Sequence, residues 1–587
     1  MHTYVPGGTV PATTWQDAGE TTPNSNPITL DAAGSCLLYG SGSYQLTVTD
    51  SRGNAVPAYS GVTSTIISAS TFSTIAALRA NNSAVAAPFS VYIEGYTNPA
   101  DGGEGNFIYE PSDTSSVDNG GTIIVDAFGN RWHRGVSGQP LSILWFGADP
   151  TASADSLPAW NSLAAVAAAS GSGASILFPH GKYKFSGPAT FTFPSGVFDL
   201  SIRGYGAILF WPATGGGMSL SLSSPMHTFN VQGMHFTVGV ANGGNGFSTT
   251  QSVALQSSAQ QSFRDVVFRG DDNTGNGGSF YWSNCVQLSS LTGANFEACT
   301  FQGGNVSSGV FGGEGIAFIG TSLSQEGLFC NCSGCFFFGL ATAILYGPFV
   351  QAITLSQTFI VGCNLGVASL ASEGGSLEEL TITGSDIECT SGCIALLTGV
   401  PFVIIQGTIF AGTANNATIW LPQCMGALLT GNQIAVNSAT GSSGILLQDS
   451  TSPSTITGNV ITGAEFGVNL GTGSNNVTVV GNNIDNCTTP VGDFGTANFI
   501  ANNLGVPVVH TTPAAPGGSP YSYTAGSRPE ALFISSTGTI TQILLPDGAG
   551  MLGNVVGADQ AITIPLYPHM TVQITFTGTL TANGVQL

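Results

Sequence analysis

The sequence predicts an all-β protein whose body is a parallel β-helix. Three observations carry this: a glycine-rich, charge-poor composition, a short phrase recurring about every two dozen residues, and no 3.6-residue apolar period. Of 587 residues 81 are Gly, while apolar types make up 42% and charged types 7%. Glycine weakens helices. A mean hydropathy of +0.26 excludes disorder, because a disordered chain lacks apolar surface to bury.

The phrase has the form apolar-x-Gly-polar-x-apolar. It reads Ile382-Thr-Gly384-Ser-Asp-Ile387, Leu429-Thr-Gly431-Asn-Gln-Ile434, Ile456-Thr-Gly458-Asn-Val-Ile461 and Val479-Val-Gly481-Asn-Asn-Ile484, with a shorter copy at Gly407. The Gly-to-Gly steps from Gly384 to Gly481 are 23, 24, 27 and 23 residues. Weaker copies at Gly204, Gly233, Asp265, Ala298, Ser333 and Ser356 complete eleven registers. A second apolar run lies in each interval, as in Ile316 to Ile319 and Thr418 to Leu421. Two or three strands per repeat cannot bury their own apolar face; stacked about 4.8 Å apart, they form one continuous core. Asn432, Asn459 and Asn482 share one position, as a side-chain amide ladder requires. Ahead of the repeats, Ser156 to Ser170 reads as a helix able to cap the open end of a solenoid.

The strand Ile143 to Asp149, the helix around Trp160 and the run Ile176-Leu-Phe-Pro179-His-Gly181-Lys-Tyr183 resemble the entry to pectin-lyase-like right-handed β-helices. The acidic stretch usual there is reduced to Asp149 and Asp155, so no calcium or catalytic role carries over. Asp101 to Phe107, Asp118 to Val125 and Arg131-Trp132-His-Arg134 resemble the module preceding the β-helix in phage tailspikes. Val10 to Trp15 and Asn26 to Gly34 are similar to particle-attachment domains of phage tail fibres. The resemblance implies residues 1–70 as a particle-attachment β domain, 71–140 as a neck module and 141–505 as the pectin-lyase-like helix. After Pro507, Pro513, Pro516 and Pro520, residues 506–587 read as a small β-sandwich for trimerisation or glycan binding. It further implies a homotrimer, carried in the virion on the baseplate or tail through its N-terminal domain, that binds and cleaves bacterial surface polysaccharide.

The formal net charge of −22 disfavours nucleic acid and anionic lipid as partners. No run is long and apolar enough to span a bilayer, and the start carries no secretion signal, so assembly in a host cytoplasm is the expectation. Eleven Cys in no disulfide spacing read as reduced. Cys330-x-Cys332-x-x-Cys335 reads as buried small hydrophobes before metal ligands. No cofactor is expected.

Glycosidic hydrolysis needs two carboxyl groups, about 5–5.5 Å apart for retention and about 6.5–9.5 Å for inversion. The widest repeats, with steps of 32, 33 and 35, run from Gly233 to Ser333, where extra length can build a groove. Glu326 and Glu378 sit seven and six residues before Ser333 and Gly384, which predicts similar corners two coils apart; Glu379 is the alternate. Among the carboxylates nearby are Glu314 and Glu373. Glu297 precedes its register residue by one, as do Arg203, Gln232 and Arg264, predicting a polar stripe in which Arg clamps an acidic sugar beside Glu297, or a plain Arg264–Glu297 salt bridge. Arg264, Arg269, Asp271, Asp272, Tyr281, Trp282 and Trp420 are the expected substrate contacts, Trp420 being equally suited to the core. A lyase, needing a Lys, Arg, His or Tyr base, and a glycan-binding spike without cleavage are the alternatives.

Overall fold

In the computed structural model the chain divides into two compact units, Met1–Asp149 with Pro158–Val166 and Pro150–Leu157 with Ala167–Leu587. The structure describes all residues except 6–9, 17–20, 31–35, 37, 40–41, 55, 57–61, 67–69, 84, 86–88, 137, 225, 252–260, 273–277, 323, 370–377, 397–399, 413–416, 438–439, 506–509, 512–516, 527–528, 546–549, 558–559 and 587. Gly34, Glu373, Pro507, Pro513 and Pro516 therefore lie outside the described residues.

The first unit holds a three-stranded antiparallel sheet (His2–Tyr4, Gly42–Thr47, Val62–Ile66) and a five-stranded one. The latter is ordered Ser70–Phe72, Ser90–Ile93, Gly105–Tyr109, Arg131–Arg134, Ile123–Val125. Alternation along these strands sends Val91, Ile93, Phe107, Ile124 and Trp132 into one core with Ile75 and Leu78 of the short helix Ile75–Arg79. Thr74 caps that helix by accepting from Ala77 N. The Arg134 side chain is buried, and its guanidinium donates to the carbonyls of Gly103, Glu104 and Gly121 and lies over the Phe107 ring.

In the second unit the strands from Thr151–Asp155 to Phe499–Ala501 form one continuous parallel ladder, each strand pairing with its counterpart one coil on. Three sheets result. The first holds Ala294–Glu297, Gly327–Ser333, Val350–Ser356, Glu379–Thr383 and Phe402–Gln406. The second holds Val267–Gly270, Thr300–Gln302 and Phe336–Phe338. The third holds Asn284–Ser289, Glu314–Ile319, Thr342–Tyr346 and Ala417–Pro422. Inward positions repeat chemically: Trp211, Phe236, Phe268, Phe301 and Phe337 stack with centroids 6.1, 4.9, 5.6 and 4.5 Å apart. Asn432, Asn459, Asn482 and Asn503 form the amide ladder, each Nδ2 donating 2.9 Å to the next Oδ1.

The corner between the first two sheets is left-handed in every coil from Gly233 on, at Gly233, Asp265, Ala298, Gly334, Gln357, Gly384, Gly407, Gly431, Gly458, Gly481 and Asn502. Gly334 and Gln357, with φ of 60° and 48°, correct the register expected at Ser333 and Ser356 by one residue. The corner tolerates Ala, Asp and Gln, so glycine does not mark it throughout.

After the last coil, two four-stranded antiparallel sheets face each other across Leu532, Ile534, Ile540, Ile543, Val572 and Ile574. All eleven Cys are free and nine are buried. Burial pushes the Cys424 thiol up to about 11, which keeps it protonated and inert. Among the described residues no group of three or more His, Cys, Asp or Glu is placed to hold a metal.

Candidate active site

On the outer side of the first sheet, Arg203, Gln232, Arg264, Glu297 and Ser333 stand in one register row. Strand alternation turns this row outward because its neighbours Ile202, Val231, Phe263 and Phe296 fill the core. Arg264 Nη2 lies 3.3 Å from Glu297 Oε1, and the two side chains are 54% and 59% exposed. So exposed a pair contributes little to stability. It leaves both groups accessible, and a carboxylate on a bound sugar can exchange with Glu297 for the guanidinium.

Beside this row runs a second one that the sequence reading missed: Ser201, Asn230, Ser262, Asn295 and Asn331. Asn331 Nδ2 donates 2.9 Å to Asn295 Oδ1, while Asn230 Oδ1 is buried without a partner. The only sequence signal was the polar residue three before each register position, which is uninformative until the coils are aligned.

Glu326 precedes the strand Gly327–Ser333 and Glu378 precedes Glu379–Thr383. Pairing of Phe329 with Ala352 and of Ala352 with Glu379 sets Glu378 level with Leu328, two residues beyond Glu326. The two do not share a corner. Their backbones stand about 12 Å apart, from two coil steps and two residues of strand rise. One residue of that offset comes from the register slip at Ser333; the other is the difference between the seven and six residues that separate Glu326 and Glu378 from Ser333 and Gly384. Glu378 Oε2 accepts from Gln351 Nε2 at 3.1 Å. Glu379 is exposed in an outward row with Phe329 and Phe402.

Two expected substrate contacts are corrected. Trp282 is wholly buried, its indole N–H donating 3.2 Å to Phe236 O and its ring set edge-on to Trp211; it is core. Asp272 accepts from Ser279 N and Phe280 N, so its carboxylate is taken up by backbone N–H groups. Tyr281 is half-buried, its ring lying over the α-carbon of Gly312. Asp271 takes a bidentate contact from Lys182 Nζ at 2.7 and 2.9 Å. Arg269 stands outward on the second sheet one coil beyond Thr237. Near it, burial and then the Arg269 charge hold His235 below the usual imidazole value. Trp420 stands outward on the third sheet, in a row with Leu345, Ala368 and Ala395.

Residues 71–137 match the model of the phage tail protein small four-stranded beta-sheet domain, and residues 335–504 match that of the periplasmic copper-binding protein NosD. No curated protein sequence matches the chain. Among solved structures, the Acinetobacter phage vB_ApiP_P1 tailspike protein superposes with a TM-score of 0.52 at 14% identity, covering 87% of this chain and 99% of that one. The tailspike of Acinetobacter baumannii phage AM24 gives 0.38 at 12% identity, over 92% and 96%. Pantoea stewartii WceF, a glycan biofilm modifying enzyme, gives 0.33 at 13% identity, over 99% and 81%. The chain has the parallel β-helix fold of phage tailspike proteins.

Proposed function

We propose that this chain is a tailspike of a phage virion that binds bacterial surface polysaccharide (capsule, exopolysaccharide or O-antigen) and depolymerises it by glycosidic hydrolysis, working as a homotrimer. The single observation that carries the reading is the pair of outward polar rows along the first sheet. Guanidinium, amide, hydroxyl and carboxyl groups there repeat at each coil step of about 4.8 Å, roughly the length of a sugar residue. A polysaccharide laid along the row meets a hydrogen-bonding group at every step. Arg264 clamps an acidic substituent, and Glu297 is one of the two carboxyls; within one chain Glu326, Glu378 and Glu379 stand about 20 Å or more from it by coil and strand spacing, so any of them serves as the other only from a neighbouring subunit of the proposed trimer.

A second reading has its own support. His235 held neutral beside Arg269 supplies the base and the charge-neutralising group of a lyase.

Incubating the protein with a panel of capsules and O-antigens separates the readings. Hydrolysis yields new reducing ends without the ultraviolet absorbance of an unsaturated uronate. Glu297→Gln lowers the rate about 10²- to 10⁴-fold, as loss of an acid or base does. Full activity in that variant removes Glu297 from the mechanism, and unsaturated products replace hydrolysis by elimination.

A further inference from the structure

The third sheet carries a cavity of about 310 Å³ on its outer side, remote in register from the Arg264 row. Two outward rows build it: Glu314, Thr342 and Leu365 in one, Leu345, Ala368, Ala395 and Trp420 in the other. The small side chains of Ala368 and Ala395 leave the depression, and Trp420 bounds it where the row turns from small to large.

Two residues lining this largely apolar space carry polar groups that burial disfavours. The Trp420 indole N–H is buried without an acceptor, an unfavourable state for a donor. The Glu314 carboxyl is half-buried, and burial pushes it above the usual carboxylate value. An apolar side chain entering the space would leave both unanswered. Neither Lys nor Arg is among the lining residues, so a sugar acid would bring a second negative group beside Glu314 without a counter-charge. The volume stands at the low end of small-molecule sites, about 300–1,000 Å³, and suits one sugar ring.

Building on the proposed action on polysaccharide, we propose that this cavity is a subsite for one neutral sugar ring bearing a methyl group, as an N-acetyl or 6-deoxy substituent. The ring lies against Trp420, an oxygen accepts from its indole N–H, the methyl packs on Leu345, Leu365 and Ala368, and Glu314 and Ser391 hydrogen-bond hydroxyls.

Saturation-transfer NMR on the full chain tests this with methyl N-acetylglucosaminide, methyl rhamnoside and methyl glucuronide. Transfer is expected to one or both neutral methyl sugars, strongest at the N-acetyl or 6-deoxy protons, and weaker to the glucuronide. Ala395→Leu, which fills the floor, abolishes it; Trp420→Phe, which keeps a ring and removes the N–H, weakens it several-fold. Transfer unchanged in both variants, or strongest to the glucuronide, overturns the proposal. So does absence of transfer in a protein that still depolymerises its polysaccharide, and that outcome leaves the proposed function standing. Absence of transfer in a protein that binds and cleaves no polysaccharide overturns both.

Discussion

Asn459 shows how much one residue can carry in a stacked fold. Its side-chain oxygen accepts from Asn432 N and Nδ2, and its amide donates to Leu429 O and to Asn482 Oδ1. Asn459→Ala strands several of these buried groups, each worth about 1–3 kcal/mol when left unsatisfied. We expect a loss of about 3 kcal/mol or more, measured by denaturant unfolding; a loss below 1 kcal/mol would mean that water replaces the ladder. The three Asn positions were legible because one residue type recurs after the glycine of each phrase. Trp282 was not legible. In a strand-rich chain the side a residue faces follows from counting along its strand, and the wide steps of 32 and 33 residues on either side of Asp265 break that count. The indole that read as a sugar platform fills the core instead.

At the scale of elements, the five-stranded sheet of the first unit depends on carboxylates. Burial alone would raise Asp101, Asp118 and Asp126, yet hydrogen bonds outweigh it and all three lie below the usual aspartate value. Asp101 accepts from the backbone N–H groups of Tyr96, Thr97, Asn98 and Gly103. Asp118 is gripped by Arg79 Nε and Nη2 at 2.9 and 2.7 Å. Asp126 accepts from Asn81, Asn130 and Trp132. A folded value below the unfolded one stabilises the fold above the unfolded pKa of about 3.9, and that stability is lost as pH falls through the folded values. Calorimetry of the full chain should show one transition moving down between about pH 5 and about pH 2, with Asp118→Asn blunting the shift. A transition insensitive to acid over that range would refute the account. The paired motifs around Asp101, Asp118 and Arg134 were visible in the sequence as a resemblance; their roles as turn clasps and a buried cation appear only with the sheet in place.

For the whole molecule, the charge of −22 acts over longer distances than any one Arg. With a Debye length of about 10 Å at 0.1 M salt, an acidic polysaccharide bound as proposed would be repelled on approach and held only at contact. Its association rate should rise several-fold between about 0.01 M and about 0.1 M salt, where screening sets in, while that of a neutral polysaccharide stays flat. Biolayer interferometry would show this, and an association rate falling with salt would mean that the Arg203 and Arg264 row governs the approach.

The sequence by itself determined the repeat, the all-β class and the polar stripe ending at Glu297. Stacking coils demand the same chemistry at each level, and a local pattern records that demand. Tertiary structure decided which coil residues stand level with one another. The left-handed corner accepts Ala298 and Gln357 as well as glycine, and loops of unequal length separate the coils. A shift of one residue at Gly334 parts Glu326 further from Glu378, and only the hydrogen-bonded pairing of strands brings Glu314, Ala395 and Trp420 around one cavity.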